Sequence, residues 1–136
     1  MIKTIFMSDI PASIATLGLC CYFVGMFFTF GFKPLKYCES FAVKPVDNAG
    51  VTEIRVYYGG ISLALAGFLA FLWLSGHPMY SLIGGLFFSN TVFFTRTIFT
   101  FIDKGWKCPY TKLAIPAEGG FIVALWICFI ISKLVY

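Results

Sequence analysis

The sequence predicts an all-α protein, an integral membrane antiparallel bundle of four transmembrane helices, and three observations support this fold class. Hydrophobic residues make up 60% of the chain and charged residues only 12%, about half the charged fraction of an ordinary soluble domain. The apolar residues form four long stretches, and about 20 apolar residues in a helix span a bilayer. Because backbone groups in lipid must bond within their own segment, stretches of this length are helices.

We expect the helices to cover about residues 10–32, 53–75, 79–102 and 115–133 of a single domain, 1–136. In the first, Ser8 or Asp9 can cap the N-terminus, where side-chain oxygens accept from free backbone N–H groups. Pro11 suits a first turn, and Lys33-Pro34 ends the helix. Thr52 is the expected cap of the second.

Proline and glycine mark the remaining boundaries. Gly76-His77-Pro78 separates the second helix from the third. The third ends before the loop from Asp103 to Pro109, and the fourth begins near Ile115-Pro116. Short connections of this kind place successive helices antiparallel.

Lysine distribution predicts the orientation, since basic residues favour the inner side of a membrane. Only Lys3 and Lys133 lie near the opposite ends of the helices. Loops 33–52 and 103–114 are therefore expected inside and both termini outside, by default in a bacterial inner membrane, with a mitochondrial inner membrane as the alternative. The six lysines of these two loops are Lys33, Lys36, Lys44, Lys104, Lys107 and Lys112.

Four ionisable residues fall at or within the predicted spans: Glu53, Arg55, Arg96 and Glu118. A charge at the bilayer centre costs roughly 2.5–3.5 kcal/mol even on the lenient insertion scale, so such side chains usually pair, snorkel or face water. Arg96 lies six residues before Ile102, about 9 Å inside the helix end. We expect Arg96 to meet Glu118, Glu53 or both, either as an inert lock of helix register or as a substrate or proton site, with Arg55 reaching the headgroups.

Small residues indicate where helices approach closely in lipid. On the second helix Gly60, Ala64 and Gly67 share a face with Glu53. On the third, Gly85 lies in a small-and-polar stripe with Arg96, opposite several phenylalanines. We predict that Gly60, Ala64, Gly67 and Gly85 pack against neighbouring helices.

The segment from Thr52 to Gly60, with sequence TEIRVYYGG, resembles the signature of a family of small four-helix membrane proteins catalogued as domain of unknown function 4345. Arg96 and Glu118 also fall where that family's polar positions are expected. A more distant likeness is to DoxX-like four-helix membrane proteins. The resemblance implies the four-helix fold and no biochemical activity.

No catalytic, metal-binding or cofactor-binding motif is recognisable in the sequence. His77 is the only histidine, the thiols form no C-x-x-C pair, and scattered basic residues argue against nucleic-acid binding. We expect a non-catalytic accessory or structural subunit of a larger membrane complex, with membrane lipids and other membrane protein subunits as partners. The alternatives are a small proton-coupled transporter, or a lipid- or quinone-binding membrane enzyme, using the Glu53, Arg96 and Glu118 cluster.

Overall fold

The computed structural model describes residues 2–41 and 43–136, without the side chain of Ser40, and within these ranges all regular structure is helical. Four helices in the described residues are long and apolar enough to cross a membrane, which confirms the expected number. In chain order these four long helices are Ile10–Phe32, Asn48–Leu74, Pro78–Ile102 and Pro109–Val135. The seven α-helices are α1 (Ile2–Ser8), α2 (Ile10–Phe32), α3 (Pro34–Cys38), α4 (Asn48–Ile54), α5 (Ile61–Leu74), α6 (Pro78–Ile102) and α7 (Pro109–Val135).

The first and third long helices follow the sequence closely. Helix α2 covers the expected range, and the Asp9 side chain accepts from the backbone N–H of Ala12 at 3.0 Å, as a cap does. Helix α6 begins one residue earlier than expected, with Pro78 in its first turn. A proline there loses nothing, because its N–H would have had no partner in the helix.

The second long helix begins earlier than the sequence suggested, at Asn48 rather than Glu53. Its cap is Asp47, whose side chain accepts from Gly50 N at 2.8 Å. Thr52 is not a cap, because it lies within the helix and its hydroxyl donates to the Asn48 carbonyl. The expected loop 33–52 is accordingly shorter and itself contains α3.

Between α4 and α5 the helix continues through a six-residue π segment, Arg55–Gly60. The Ile61 N–H donates to the carbonyl of Val56, five residues back, instead of four. A π turn therefore adds one residue and rotates every later side chain about the helix axis.

The fourth long helix also begins earlier than expected, at Pro109 rather than near Ile115. Pro116 consequently lies inside α7 instead of in its first turn. Proline lacks the N–H that would bond the carbonyl four residues before it. Because Pro116 lies in the second turn of α7, the missing hydrogen bond is near the N-terminus of the helix.

The described chain divides into two compact units, one holding the residues up to Leu17 with Leu69–Tyr136 and the other Gly18–Phe68. In the first unit the buried apolar side chains include Leu82, Leu86 and Leu125. In the second, Phe30 lies at the centre of a cluster that contains Cys38, Ile54, Met26 and Phe41.

Candidate functional site

The structure brings Arg96 of α6 and Glu118 of α7 together. Arg96 Nε donates to both carboxylate oxygens of Glu118, at 3.0 Å to Oε1 and 2.9 Å to Oε2. The Arg96 guanidinium also lies over the ring of Tyr110, 5.5 Å from its centroid. The charge is thus held by a carboxylate and an aromatic face, both provided by α7.

This pair is only partly shielded, since the Arg96 and Glu118 side chains are 31% and 24% exposed. In water such a pair contributes at most about 1 kcal/mol to stability. The two oxygens of Glu118 share the single N–H of Arg96 Nε, so the contact is a three-centre hydrogen bond between α6 and α7.

Glu53 and Arg55 are the other two ionisable residues at or within the predicted spans. Glu53 lies on α4 and Arg55 opens the π segment, and both side chains are exposed. They belong to the unit Gly18–Phe68, whereas Arg96 and Glu118 belong to the other unit. The participation of Glu53 in the charged cluster stays a prediction.

The small residues on the second long helix occupy a different face from the one expected. Gly60, Ala64 and Gly67 are exposed, and a Cβ built on Gly67 meets no atom within 4 Å. The buried face is offset by two residues, or about 200°. The buried face begins at Ile54 instead of Glu53, which accounts for one residue of the offset. The extra residue in the π turn accounts for the other. The buried residues are Ile54, Gly59, Ser62, Ala66, Leu69 and Trp73.

On α6 the expected stripe is buried in part. Gly85 is buried with Ser81 and Thr100, while Phe87 and Phe94 are exposed. Within an uninterrupted α-helix the 3.6-residue period places faces correctly.

The carboxylate of Asp9, predicted from the sequence only as a helix cap, lies buried at the start of α2. Asp9 is 5% exposed, and its Oδ1 accepts from Ser132 Oγ at 2.5 Å as well as from Ala12 N. Its other oxygen, Oδ2, accepts from no described residue, and no described residue forms an ion pair with Asp9. Asp9 Oδ1 therefore accepts two hydrogen bonds, and Oδ2 can accept one from a ligand.

Polar side chains continue from Asp9 along the same face of α2. Ser13 is fully buried and accepts from Trp73 Nε1 at 2.8 Å. Thr16, three residues further on, is fully buried, and its hydroxyl has no described partner. Ser81 Oγ donates to the Leu69 carbonyl at 2.9 Å. These bonds connect the start of α2, the end of α5 and α6 through buried polar groups.

A pocket of about 480 Å³ opens beside Asp9. It is formed by four helix ends of the same unit: the α1–α2 junction, the turn after α5, the start of α6 and the end of α7. The polar and charged side chains that line it include Ser8, Asp9, His77, Tyr80, Lys133 and Tyr136.

The sequence contained a weak signal for this site. Asp9, Ser13 and Thr16 are spaced by four and three residues, the spacing of one helix face, within an otherwise apolar stretch. The partner Ser132 lies 123 residues from Asp9, and no local pattern links the two.

The thiols of Cys38, the last residue of α3, and Cys108, just before α7, lie in different environments. Hydrogen bonds from the backbone N–H groups of Thr111 and Tyr110, at the start of α7, lower the pKa of Cys108. Burial raises the pKa of Cys38. The five cysteines are free.

In the described part of the chain no group of three His, Cys, Asp or Glu side chains is placed to hold a metal ion. Comparison with known proteins adds no relative: no family model matches the sequence, and no curated protein or solved structure matches it significantly. The class that the fold defines is a small helical protein with four helices suited to a membrane.

Proposed function

We propose that the protein is an integral membrane protein whose four long helices cross the bilayer as an antiparallel bundle. Loops 33–52 and 103–114 lie inside and both termini outside, most simply in a bacterial inner membrane. The pocket beside Asp9 supports this arrangement, because the starts of α2 and α6 and the ends of α5 and α7 adjoin it. Alternating helix directions produce that pattern. Kinship with the small four-helix family of unknown function is part of the same proposal.

Within that membrane, the protein is a non-catalytic accessory subunit of a larger complex. One observation carries this: four aromatic side chains stand at seven-residue intervals along the exposed side of α6. A seven-residue repeat is the pattern of a helix that packs along another helix. The four are Tyr80, Phe87, Phe94 and Phe101, and they are between 58% and 76% exposed.

The length of this aromatic column matches a bilayer. From Tyr80 to Phe101 is 21 residues, or about 31 Å of helix, and the hydrocarbon core is about 30 Å thick. A transmembrane helix of a partner subunit would therefore contact the column along its whole length. The Arg96–Glu118 pair holds α6 against α7 and so keeps the column in a fixed orientation.

Co-purification of the full-length protein from its native membrane in mild detergent, followed by native mass spectrometry, tests this function. We expect stoichiometric association with other membrane subunits. The double substitution Phe87→Ala with Phe94→Ala should release them. The matched control is Phe68→Ala with Phe71→Ala, two exposed phenylalanines of α5 outside the column, and it should retain them.

Three results would contradict the proposal. The first is a wild-type protein that purifies as a monomer without other subunits. The second is a homo-oligomer without other subunits, and the third is equal loss of subunits in both double variants. The first two would favour a self-contained carrier or enzyme.

A further inference from the structure

The pocket beside Asp9 combines opposite charges in one cavity. Asp9 provides a carboxylate whose Oδ2 has no described hydrogen-bond partner. A buried carboxylate oxygen without a hydrogen-bond donor is costly, so a cationic group that donates to this oxygen is favoured. The cationic group best suited is one that also donates a hydrogen bond, because charge-assisted bonds are the stronger ones.

The same cavity offers binding groups for an anion. Lys133 is among its lining residues and carries an ammonium group, and the first residues of α6, Met79 and Tyr80, line it as well. Backbone N–H groups in the first turn of a helix have no acceptor in that helix and attract phosphate. Helix α6 is 25 residues long, so its N-terminus carries the full dipole.

The position of the pocket relative to the proposed membrane indicates where its ligand comes from. It lies where four helix ends meet, and helix ends of a membrane protein lie at the level of the lipid headgroups. The aromatic side chains Tyr80 and Tyr136 at its wall are of the type enriched at that level.

From this arrangement we infer that the pocket binds an aminophosphate, a ligand with a primary ammonium and a phosphate. The ammonium donates to Asp9 Oδ2, and the phosphate binds Lys133 and the N-terminus of α6. The ligand is either the headgroup of phosphatidylethanolamine or a free phosphoethanolamine-like molecule, which share this chemistry. A quaternary ammonium has no N–H to donate and is expected to bind more weakly. The headgroup assignment rests on the proposed membrane placement, and the inference is independent of the accessory function.

Titration calorimetry of the full-length protein in detergent micelles tests the site with four probes. These are ethanolamine, phosphoethanolamine, short-chain phosphatidylethanolamine and short-chain phosphatidylcholine. We expect phosphatidylethanolamine to bind at least tenfold more tightly than phosphatidylcholine. Binding of free phosphoethanolamine with similar affinity identifies a soluble ligand, and binding of the lipid alone identifies the headgroup.

Two variants assign the roles of the side chains. Asp9→Asn retains an oxygen for the Ala12 and Ser132 hydrogen bonds and removes the charge. It should weaken binding of every amine about tenfold to a hundredfold, as loss of a charged hydrogen bond does. Lys133 is exposed, so Lys133→Gln should fold normally. It should weaken phosphoethanolamine binding and leave ethanolamine binding unchanged.

Lys3→Gln is the matched control, because Lys3 is another exposed lysine near a terminus and is not among the pocket's lining residues. It should bind all probes as the wild type does. Wild-type affinity in Asp9→Asn, equal affinity for the two lipids, or equal loss of phosphoethanolamine binding in Lys133→Gln and Lys3→Gln would each overturn the inference.

Discussion

Ser132 Oγ donates a 2.5 Å hydrogen bond to Asp9 Oδ1 across 123 residues of sequence. The bond joins the last turn of α7 to the residue that caps α2, and both side chains are buried. The same oxygen of Asp9 also caps α2 through Ala12 N. One carboxylate oxygen therefore stabilises a helix terminus and a contact between distant helices.

Replacement of Asp9 by alanine should lower the free energy of unfolding by about 2–3 kcal/mol, because it removes the cap and leaves the Ser132 hydroxyl without its acceptor. Asp9→Asn should stay within about 0.5 kcal/mol of the wild type, since asparagine is an equally good cap. Reversible unfolding in mixed micelles measures both. Equal losses for the two variants would show that the charge, and not the hydrogen bonds, stabilises the protein.

The Arg96–Glu118 pair should show a coupling energy of roughly 0.5–1 kcal/mol in a double-mutant cycle, because both side chains are partly exposed. The cycle uses Arg96→Gln, Glu118→Gln and the double variant, with the same unfolding assay. Arg55→Gln is the control, because Arg55 is exposed, and it should change stability by less than about 0.5 kcal/mol. Additive single substitutions would mean that the pair does not stabilise the contact between α6 and α7.

Gly59 and Gly60 should respond oppositely to alanine. A Cβ on Gly59 would lie 3.3 Å from the backbone nitrogen of Gly31, whereas one on Gly60 meets only the Arg55 carbonyl at 3.9 Å. Gly59→Ala should therefore cost about 1–3 kcal/mol through overpacking, and Gly60→Ala should be neutral or stabilising. If Gly60→Ala destabilised the protein more than Gly59→Ala, the buried face would be the one predicted from the sequence.

Cys108 should be alkylated at lower pH than Cys38. Hydrogen bonds from backbone N–H groups favour the Cys108 thiolate and lower its pKa, whereas burial raises that of Cys38. Because the thiolate is the nucleophile, the pH midpoint of iodoacetamide labelling should lie below the ordinary thiol range for Cys108 and above it for Cys38. Peptide mass spectrometry across a pH series measures this.

The same thiol reports the orientation. With loop 103–114 inside, a membrane-impermeant maleimide applied to intact cells should leave Cys108 unlabelled, and cell lysis should expose it. Labelling of Cys108 in intact cells would reverse the proposed topology.

How far the sequence predicts the structure differs between helices. On α6, an uninterrupted α-helix, the 3.6-residue period placed Gly85 and Ser81 inside and Phe87 outside, as found. On the second long helix the same argument selected Gly60 instead of Gly59, because the buried face starts at Ile54 instead of Glu53 and the π segment then adds one residue to the turn. The proximity of Arg96 to Glu118 followed from the depths of the two charges in antiparallel helices.

Composition and the length of the apolar stretches alone determined that the chain has four helices suited to a bilayer. Both properties depend only on the residues within each stretch. Tertiary structure decided the register after Arg55, the burial of Asp9 beside Ser132 and the pocket that the helix ends form. The Asp9–Ser132 contact and the pocket depend on residues far apart in the chain, and the register after Arg55 depends on a π turn that a 3.6-residue period does not predict.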